Sequence, residues 1–494
     1  MLREVLGQAA RRFGDTPAYV AADGWTVTYA ELDRASDEVA AGLVGRGVAP
    51  GDVVALALPA CPEYFVSYLA AAKIGAVTAG VNPRLSAPER DGVLAVAEPQ
   101  LVLATADLAP PAWPVEEVVP ATGSAAGMLA SLRRPGASPP PIGSDPERPV
   151  AIIFTSGTTG APKGALFCNR QLSAIVAIAV GERWGGGGSQ LAGTALAHLG
   201  PMTKLPGNLR QGSTAYLTRR WRAEDALRMT ADLKMTSIGG IPTQVALMLR
   251  VPDFDRYDLS SLRAIVIGGG PATPSLVREA RDRFGVPVSS RYSCTEAAIG
   301  IGTGLGDPPE DAEDTVGKPL AGVELFLLDE DDRPVPPGEI GQVCLKSPAV
   351  MSGYYRDPVA TAAAFTPQGA VRTGDLGWLD DRGRLHLAGR SKEMYVRGGY
   401  NVHPLEVESV LHEHPSVAAV AVVPRPDAVM GEVGVAFVVA RAGAESPSLG
   451  ELRDFASRRL AAYKLPDEVR VVDALPLTAM DKLDRRALRA QLTD

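Results

Sequence analysis

From Ala30 to Leu43 apolar residues recur at helical spacing, and the following segment GDVVALALP, from Gly51, runs almost uninterruptedly apolar behind a turn. A 3.6-residue period followed by a short β-branched run predicts a helix and then a buried strand, the first α/β unit of the chain. The pattern breaks at RRPGASPPPIGSDPERP, Arg133 to Pro149, where Pro, Gly and Ser mark a loop or subdomain junction. It resumes with VAIIF at Val150, read as a buried strand, and continues through RAIVIGGGP (Arg263 to Pro271) and VPVSSRYSCTE (Val286 to Glu296). VELFLLD and GQVCLKS read as strands of a mainly β segment. After Gly389 the elements shorten: a hairpin-like stretch, a helix from Pro404 to His412, strands VAAVAVVP and VGVAFVVA, a helix from Leu449 to Leu460, and the tail ALRAQLTD. The reading is an α/β body with a β-rich appendage and a small final unit.

At 494 residues the chain has room for several cores, and 46% hydrophobic with 21% charged residues is the composition of a soluble globular protein. A net charge of −8 supplies no field that would draw it to nucleic acid or anionic lipid, so a small-molecule substrate is expected. The opening MLREVLGQAARRF places Arg11 and Arg12 where a signal peptide needs an apolar core, and no window approaches the ~18 apolar residues of a membrane span. A cytoplasmic protein is expected. Cys61, Cys168, Cys294 and Cys344 lie far apart without a C-x-x-C pair, which argues for free thiols rather than a zinc knuckle or disulfide framework. His412 and His414, two apart on a helix end, make poor paired metal ligands.

The segment richest in chemistry is TSGTTGAPKG, Thr155 to Gly164, directly after the strand VAIIF. Its glycines let backbone N–H groups curl around an anion, its hydroxyls add donors, and Lys163 adds a charge, so it reads as a phosphate cradle. It does not match G-x-x-x-x-G-K-[ST], because Lys163 is followed by Gly164, which argues against a conventional P-loop.

With this segment stand, in order, GGGP at Gly268, RYSCTE at Arg291, GEIGQVCLKSPAVMSGYY from Gly338, TGDLGWLD at Thr373, GRSKEMYVRGGYNVHPLEVE from Gly389 and LPLTAMDKLDRRALR from Leu475. Over essentially its whole length the chain resembles the adenylate-forming superfamily of acyl-CoA synthetases, firefly luciferase and peptide-synthetase adenylation domains. The resemblance implies an α/β fold: a large N-terminal domain (1–389) of α/β subdomains plus a distorted β-barrel, a hinge (390–393) and a small mobile α+β C-terminal domain (394–494). It implies two half-reactions. A carboxylate attacks the α-phosphorus of ATP, giving acyl-adenylate and pyrophosphate; a thiol then displaces AMP.

The same resemblance distributes roles. Thr155, Ser156, Gly157, Thr158, Thr159, Gly160 and Lys163 would hold the β- and γ-phosphates, Thr295 the α-phosphate, and Glu296 a Mg²⁺ ion, a hard oxygen ligand for a hard cation. Asp375 would accept the ribose hydroxyls with Arg390 beside it; Gly269, Gly270 and Pro271 would lie against adenine, with Tyr292 as a stacking face. Lys482 is the expected adenylation lysine, bridging the attacking carboxylate and the α-phosphoryl oxygens. Lys392 aligns with the family hinge, and Gly398 and Gly399 would let the pantetheine arm of coenzyme A approach.

Departures from the family pattern are Asp481 where Gly is usual before the lysine, Glu393 for Asp, Ser293 and Cys294 in RYSCTE, and Asn169 where His is common. Asp481 could pair with Lys482 or constrain the loop. GTALAHLGPM, Gly193 to Met202, matches the acyl-pocket segment, with His198 placed to gate or orient the acid. Leu196, Met202, Gly268, Ser293 and Ile299 supply apolar or small walls; with no Arg at the RYSCTE end clearly pairing a second carboxylate, a monocarboxylic aliphatic or aromatic acid is expected. The expected activity is an AMP-forming acid:CoA ligase using ATP, Mg²⁺ and coenzyme A. The alternatives are a stand-alone enzyme loading a carrier protein or another nucleophile such as an amine, and an inactive nucleotide-binding regulator, at which only Asp481 hints.

Overall fold

The helical stripe at Ala30 folds as helix Tyr29–Gly45, opened by a capping box in which the Thr28 hydroxyl accepts from Glu31 N–H and the Glu31 carboxylate accepts from Thr28 N–H. The computed structural model describes residues 1–155, 162–192, 196–479 and 481–492. Helix Pro62–Ile74 packs against this first helix and is buried almost all round, including Lys73, whose side chain is 1% exposed. A buried ammonium needs anionic partners. Two come from the neighbouring helix: Lys73 Nζ lies 2.6 Å from Asp33 Oδ1 and 2.7 Å from Asp37 Oδ1.

Among the described residues the strands form five sheets. The largest has seven strands, with Val77–Gly80, Val53–Ala57, Leu101–Ala104 and Val115–Glu117 parallel, as the uninterrupted apolar runs require. Pro149–Thr155 joins in parallel, and Lys163–Cys168 returns antiparallel to it. A five-stranded sheet holds Ser237–Gly240, Ala264–Gly268 and Val288–Tyr292 in parallel, then Ile301–Gly302 and Lys318–Pro319. Thr26–Thr28, Pro17–Val20, Thr214–Leu217 and Ser189–Ala192 make a four-stranded sheet. The β-rich appendage is an antiparallel sheet of Glu324–Leu328, Gly341–Lys346, Val371–Leu379 and Leu385–Arg390.

The fifth sheet draws every strand from the C-terminal part: Tyr395–Arg397, Tyr400–Val402, Val417–Asp427, Gly431–Ala440 and Glu468–Val471. Helix Pro404–His412 covers it as expected. The next helix is shorter than its apolar pattern suggests, Leu449–Ala456 rather than reaching Leu460. The chain leaves the helix there, and both Leu460 and Leu465 enter the core of the small domain. No regular element occupies 133–148, and all four cysteines are free thiols. Among the described residues no helix is long and apolar enough to cross a membrane.

One glycine of the first core shows how tight that packing is. A Cβ on Gly42 would collide with the backbone carbonyl of Leu132, whereas one on Gly45, on the same helix, would meet only the Arg134 side-chain tip at 3.9 Å. Gly42→Ala should therefore destabilise the protein by about 1–3 kcal/mol, and Gly45→Ala should be neutral or stabilise it by up to about 1 kcal/mol. Thermal unfolding midpoints of the two variants check this.

Candidate active site

The cradle expected from TSGTTGAPKG has its two flanks in an antiparallel strand pair, with Thr155 opposite Lys163. Ser156, Gly157, Thr158, Thr159 and Gly160 lie outside the described residues. The flanks lead into a row of three groups. Lys163 Nζ sits 5.1 Å from the centroid of the Tyr354 ring, and the Tyr354 hydroxyl donates to Glu296 Oε1 at 2.7 Å. Burial, then the Glu296 charge, push the Tyr354 hydroxyl well above the ordinary phenol range, so it stays a donor. Thr295, beside Glu296, makes no hydrogen bond through its hydroxyl among the described residues. No group of three or more His, Cys, Asp or Glu side chains suited to a metal occurs among the described residues. Glu296 alone fits a magnesium ion held largely by phosphate oxygens, the usual habit of that ion.

Asp375 lies where three segments meet. Its carboxylate accepts from the Tyr292 hydroxyl at 2.7 Å through Oδ2 and from Arg390 Nε at 3.1 Å through Oδ1. Arg390 is its cross-strand neighbour, and Tyr292 ends the parallel strand Val288–Tyr292. Tyr292 thus does more than offer a face: its hydroxyl fixes the acid. Beside it Gly374 takes φ +77°, and its carbonyl accepts from Ser391 N–H at 3.1 Å, tying the turn that carries Lys392 to this strand. Lys392 itself is exposed. After the strand Ala264–Gly268, Gly269 takes φ +81°, and Gly270 and Pro271 are exposed, as a backbone edge open to a ligand would be.

Lys482 reaches the same place from the end of the chain. Its ammonium is pulled below the ordinary lysine range by crowding and by the Arg390 charge, against the pull of Asp375. It also acts on His198, the residue that caps helix Leu199–Gln211. Burial first, then Lys482 and Arg84, lower the His198 imidazole to about 4. Its tautomer follows from its neighbours. Asn82 Oδ1 accepts from Arg84 N–H at 3.0 Å, which turns Asn82 Nδ2, a donor only, toward His198 Nε2 at 3.1 Å. Nε2 must accept, so the proton resides on Nδ1.

Asp481 does not pair with Lys482. It makes a two-pronged ion pair with Arg84, Nη1 to Oδ2 and Nη2 to Oδ1 both 2.7 Å, joining residues 397 apart. The loop Thr478–Lys482 closes with Asp481 N–H on Thr478 O at 2.9 Å and Thr478 N–H on Lys482 O at 2.7 Å. Asp481 takes φ +58°, which explains why glycine suits this position. Gly398 and Gly399, with φ +57° and +86°, form the exposed tip of the hairpin Tyr395–Arg397/Tyr400–Val402, where a two-residue turn demands positive φ. Gly398 N–H donates to Met430 O at 2.8 Å, which ties this tip to the neighbouring strand pair.

A family profile described as AMP-binding enzyme matches residues 6–355, and one described as AMP-binding enzyme C-terminal domain matches 406–482. The chain belongs to the AMP-binding enzymes, the adenylate-forming superfamily. It is 34% identical over 487 residues to a fatty acid–[acyl-carrier-protein] ligase, ScoC, of Streptomyces coeruleorubidus, covering 96% of this chain and 93% of that one. To a feruloyl-CoA synthase of an Amycolatopsis species it is 34% identical over 480 residues, covering 94% of each. The amide bond synthetase McbA of Marinactinospora thermotolerans superimposes with a TM-score of 0.88 at 30% identity over 99% of each chain.

In this AMP-binding enzyme the site contains side chains that the motifs did not single out: Asn82 and Arg84 in VNPRL and Tyr354 in SGYY. Only Tyr354 lies inside one of those motifs, and only its presence there could have drawn notice. The His198 environment yields a direct test. The chain has five histidines, so their imidazole signals can be resolved by NMR, with His198→Gln giving the assignment. His198 should remain neutral, with the Nδ1–H tautomer, down to about pH 4. A midpoint near 6.5, the ordinary value, would contradict this geometry.

Proposed function

We propose that this enzyme is an ATP-dependent carboxylic acid:CoA ligase that forms an acyl-adenylate, releases pyrophosphate and AMP, and acts in the cytoplasm, where its free thiols stay reduced. The observation that carries the reading is the meeting of Lys482, near the end of the chain, with Asp375, Arg390 and His198 from its interior.

The chemistry suits these groups. Asp375, already fixed by Tyr292 and Arg390, retains a free lone pair on each oxygen for the ribose hydroxyls of ATP. Thr155 and Lys163 take the phosphate end, and Glu296 holds Mg²⁺, which when bound would neutralise phosphate charge. Lys482 draws together the acid's carboxylate and the α-phosphoryl group, whose mutual repulsion otherwise opposes attack. A carboxylate oxygen bonds to the α-phosphorus as the bond to the pyrophosphate oxygen breaks. His198, neutral and with its Nδ1 proton free to donate, orients the acid without adding a third positive charge. In the second half-reaction the thiolate of coenzyme A bonds to the acyl carbon and AMP leaves with the carboxyl oxygen's electron pair. Rotation of the small domain about Lys392 exchanges Lys482 for the Gly398–Gly399 hairpin beside the thiol.

A second reading rests on the relative that loads an acyl-carrier protein. In it the phosphopantetheine thiol of a carrier takes the place of coenzyme A, and the first half-reaction is unchanged.

A mass-spectrometric assay with Mg·ATP, a panel of acids and either coenzyme A or a loaded carrier protein separates the two. Acyl-CoA with AMP is expected; acyl-adenylate that coenzyme A leaves intact and a carrier consumes would favour the second reading. Lys482→Ala should slow adenylate formation by about 10²-fold or more while sparing thioester formation from supplied acyl-adenylate. Equal loss in both half-reactions would remove Lys482 from this role.

The Arg84–Asp481 pair carries its own expectation. The pair is half-exposed, with side chains 52% and 32% accessible, so about 1 kcal/mol is its expected worth. Asp481→Gly keeps the turn, relieves its positive φ and releases the small domain. Pyrophosphate exchange should fall about fivefold, and the wild type should lose most of that advantage at high salt. An exchange rate insensitive to both would show that the pair does not hold Lys482 in place.

A further inference from the structure

Glu393 directly follows Lys392, the residue about which the small domain turns in the ligase reading, and stands where Asp is more common in the family. Its N–H donates to Arg390 O at 3.1 Å, and Arg390 is the residue whose guanidinium holds Asp375. The carboxylate reaches in another direction. Glu393 Oε2 lies 2.9 Å from Nε of Arg485, three positions past Lys482.

Arg485 is also fixed from within the small domain. Its Nη1 and Nη2 grip the carboxylate of Glu408, on helix Pro404–His412, at 2.5 and 2.8 Å, and Nη1 donates to Val422 O at 2.9 Å. Glu408 accepts in turn from Val422 N–H at 2.6 Å, so the guanidinium ties that helix to strand Val417–Asp427. The Arg485 and Glu408 side chains are 15% and 9% accessible, and Glu393 at the rim is 26% accessible. A planar guanidinium held by carboxylates on two sides is fixed in direction as well as in charge. On one side of Arg485 runs the final helix Arg485–Ala490, whose Leu488 enters a core with Ala421 and Val423. On its other side the chain doubles back toward Lys482. Asp484 N–H donates to Pro476 O at 2.8 Å, Leu477 and Leu483 pair antiparallel, and Thr478 N–H donates to Lys482 O at 2.7 Å.

These contacts make an unbroken line from the Asp375 carboxylate through Arg390, Glu393 and Arg485 to the base of the hairpin that carries Lys482. We propose that Glu393, acting through Arg485, is a positioning residue for Lys482. Glu408 and Val422 seat Arg485 in the small domain, and Glu393 sets how that seat, and the hairpin standing on it, faces the turn at Lys392. The Arg84–Asp481 pair holds the same hairpin from its other end. Glutamate at 393 supplies the reach: aspartate would fall short by about 1.5 Å, the length of one C–C bond. The inference rests on the ligase reading, which makes Lys482 the group whose place governs adenylate formation.

The two half-reactions, measured separately on the full chain, test it. The substitution belongs at Glu393, the accessible end of the cluster, because removing Arg485 would strand the buried Glu408 charge. Glu393→Ala should lower kcat for pyrophosphate exchange by about tenfold, within what a 1 Å misplacement costs, and leave the KM for ATP unchanged. Thioester formation from supplied acyl-adenylate, which does not use Lys482, should keep its rate, and the thermal midpoint should hold. Glu393→Gln, with the same reach and an acceptor oxygen, should restore most of the exchange rate, whereas Glu393→Asp should lie nearer to alanine. In the Lys482→Ala background Glu393→Ala should change nothing further, since it acts through the lysine already removed. A further loss in that background, an equal loss in both half-reactions, or full exchange in Glu393→Ala would overturn the positioning role and leave the ligase standing. Absence of exchange in the wild type with every acid would overturn both.

Discussion

The Asp375 carboxylate is the point on which the other parts of the site depend. It is nearly buried, and both of its oxygens are committed to neighbours from different segments, Tyr292 at the end of a parallel strand and Arg390 at the end of an antiparallel one. A nearly buried carboxylate held this way is fixed in orientation, because losing either donor would leave its charge without compensation. Around it the rest is placed. Tyr292 leads through Ser293 and Cys294 to Thr295 and Glu296; Gly374, next to it, anchors Ser391 and so the turn bearing Lys392. One acid thereby links the strand that carries the RYSCTE motif, the appendage sheet and the start of the small domain.

The cluster is rich in cations before any substrate arrives. Lys482, Arg390 and Arg84 approach one another closely enough that Lys482 is depressed by Arg390 and His198 by both Lys482 and Arg84. Such an arrangement is costly unless anions fill it, and a nucleotide triphosphate together with a carboxylate are such anions. Neutral His198 belongs to the same balance: with its Nε2 engaged by Asn82, it adds a donor and no charge. Glu296 and Asp375 supply the negative charge on the other side; the Tyr354 hydroxyl steadies Glu296, and Lys163 lies over the Tyr354 ring.

Much of this was legible in the sequence, and what was not has a common cause. Buried strands such as Val53–Ala57 and Ala264–Gly268 announce themselves as short apolar runs, and helix Pro404–His412 as a periodic one, because one local pattern is enough to specify each. Lys163, Glu296, Asp375, Arg390 and Lys482 stood in recognisable motifs. Asn82 and Arg84 did not: their roles exist only because the fold sets them beside His198 and Asp481, and nothing in VNPRL points 397 residues onward. Asp481 was visible as an oddity but not its partner. Gly398 and Gly399 were legible as a Gly-Gly pair, and the positive φ both take is what a two-residue hairpin tip needs. Helix Leu449–Ala456 ended early because the small core claimed Leu460, a tertiary demand that periodicity does not contain.

If one small domain is to serve two half-reactions, its hold on the large domain in the first must be firm enough to seat Lys482 and weak enough to let go. The Arg84–Asp481 pair meets both conditions. Two hydrogen bonds of 2.7 Å give it a defined direction, so Lys482, the next residue, is delivered to one place. Its partial exposure keeps it within about 1 kcal/mol, a small barrier beside the catalytic steps. Glycine at 481 would satisfy the turn but offer Arg84 nothing, while a longer acid would pay more for positive φ. Aspartate tolerates that backbone better than most residues and reaches the guanidinium from it. The departure from the family's glycine is therefore a gain of orientation at a modest backbone cost, placed directly before Lys482.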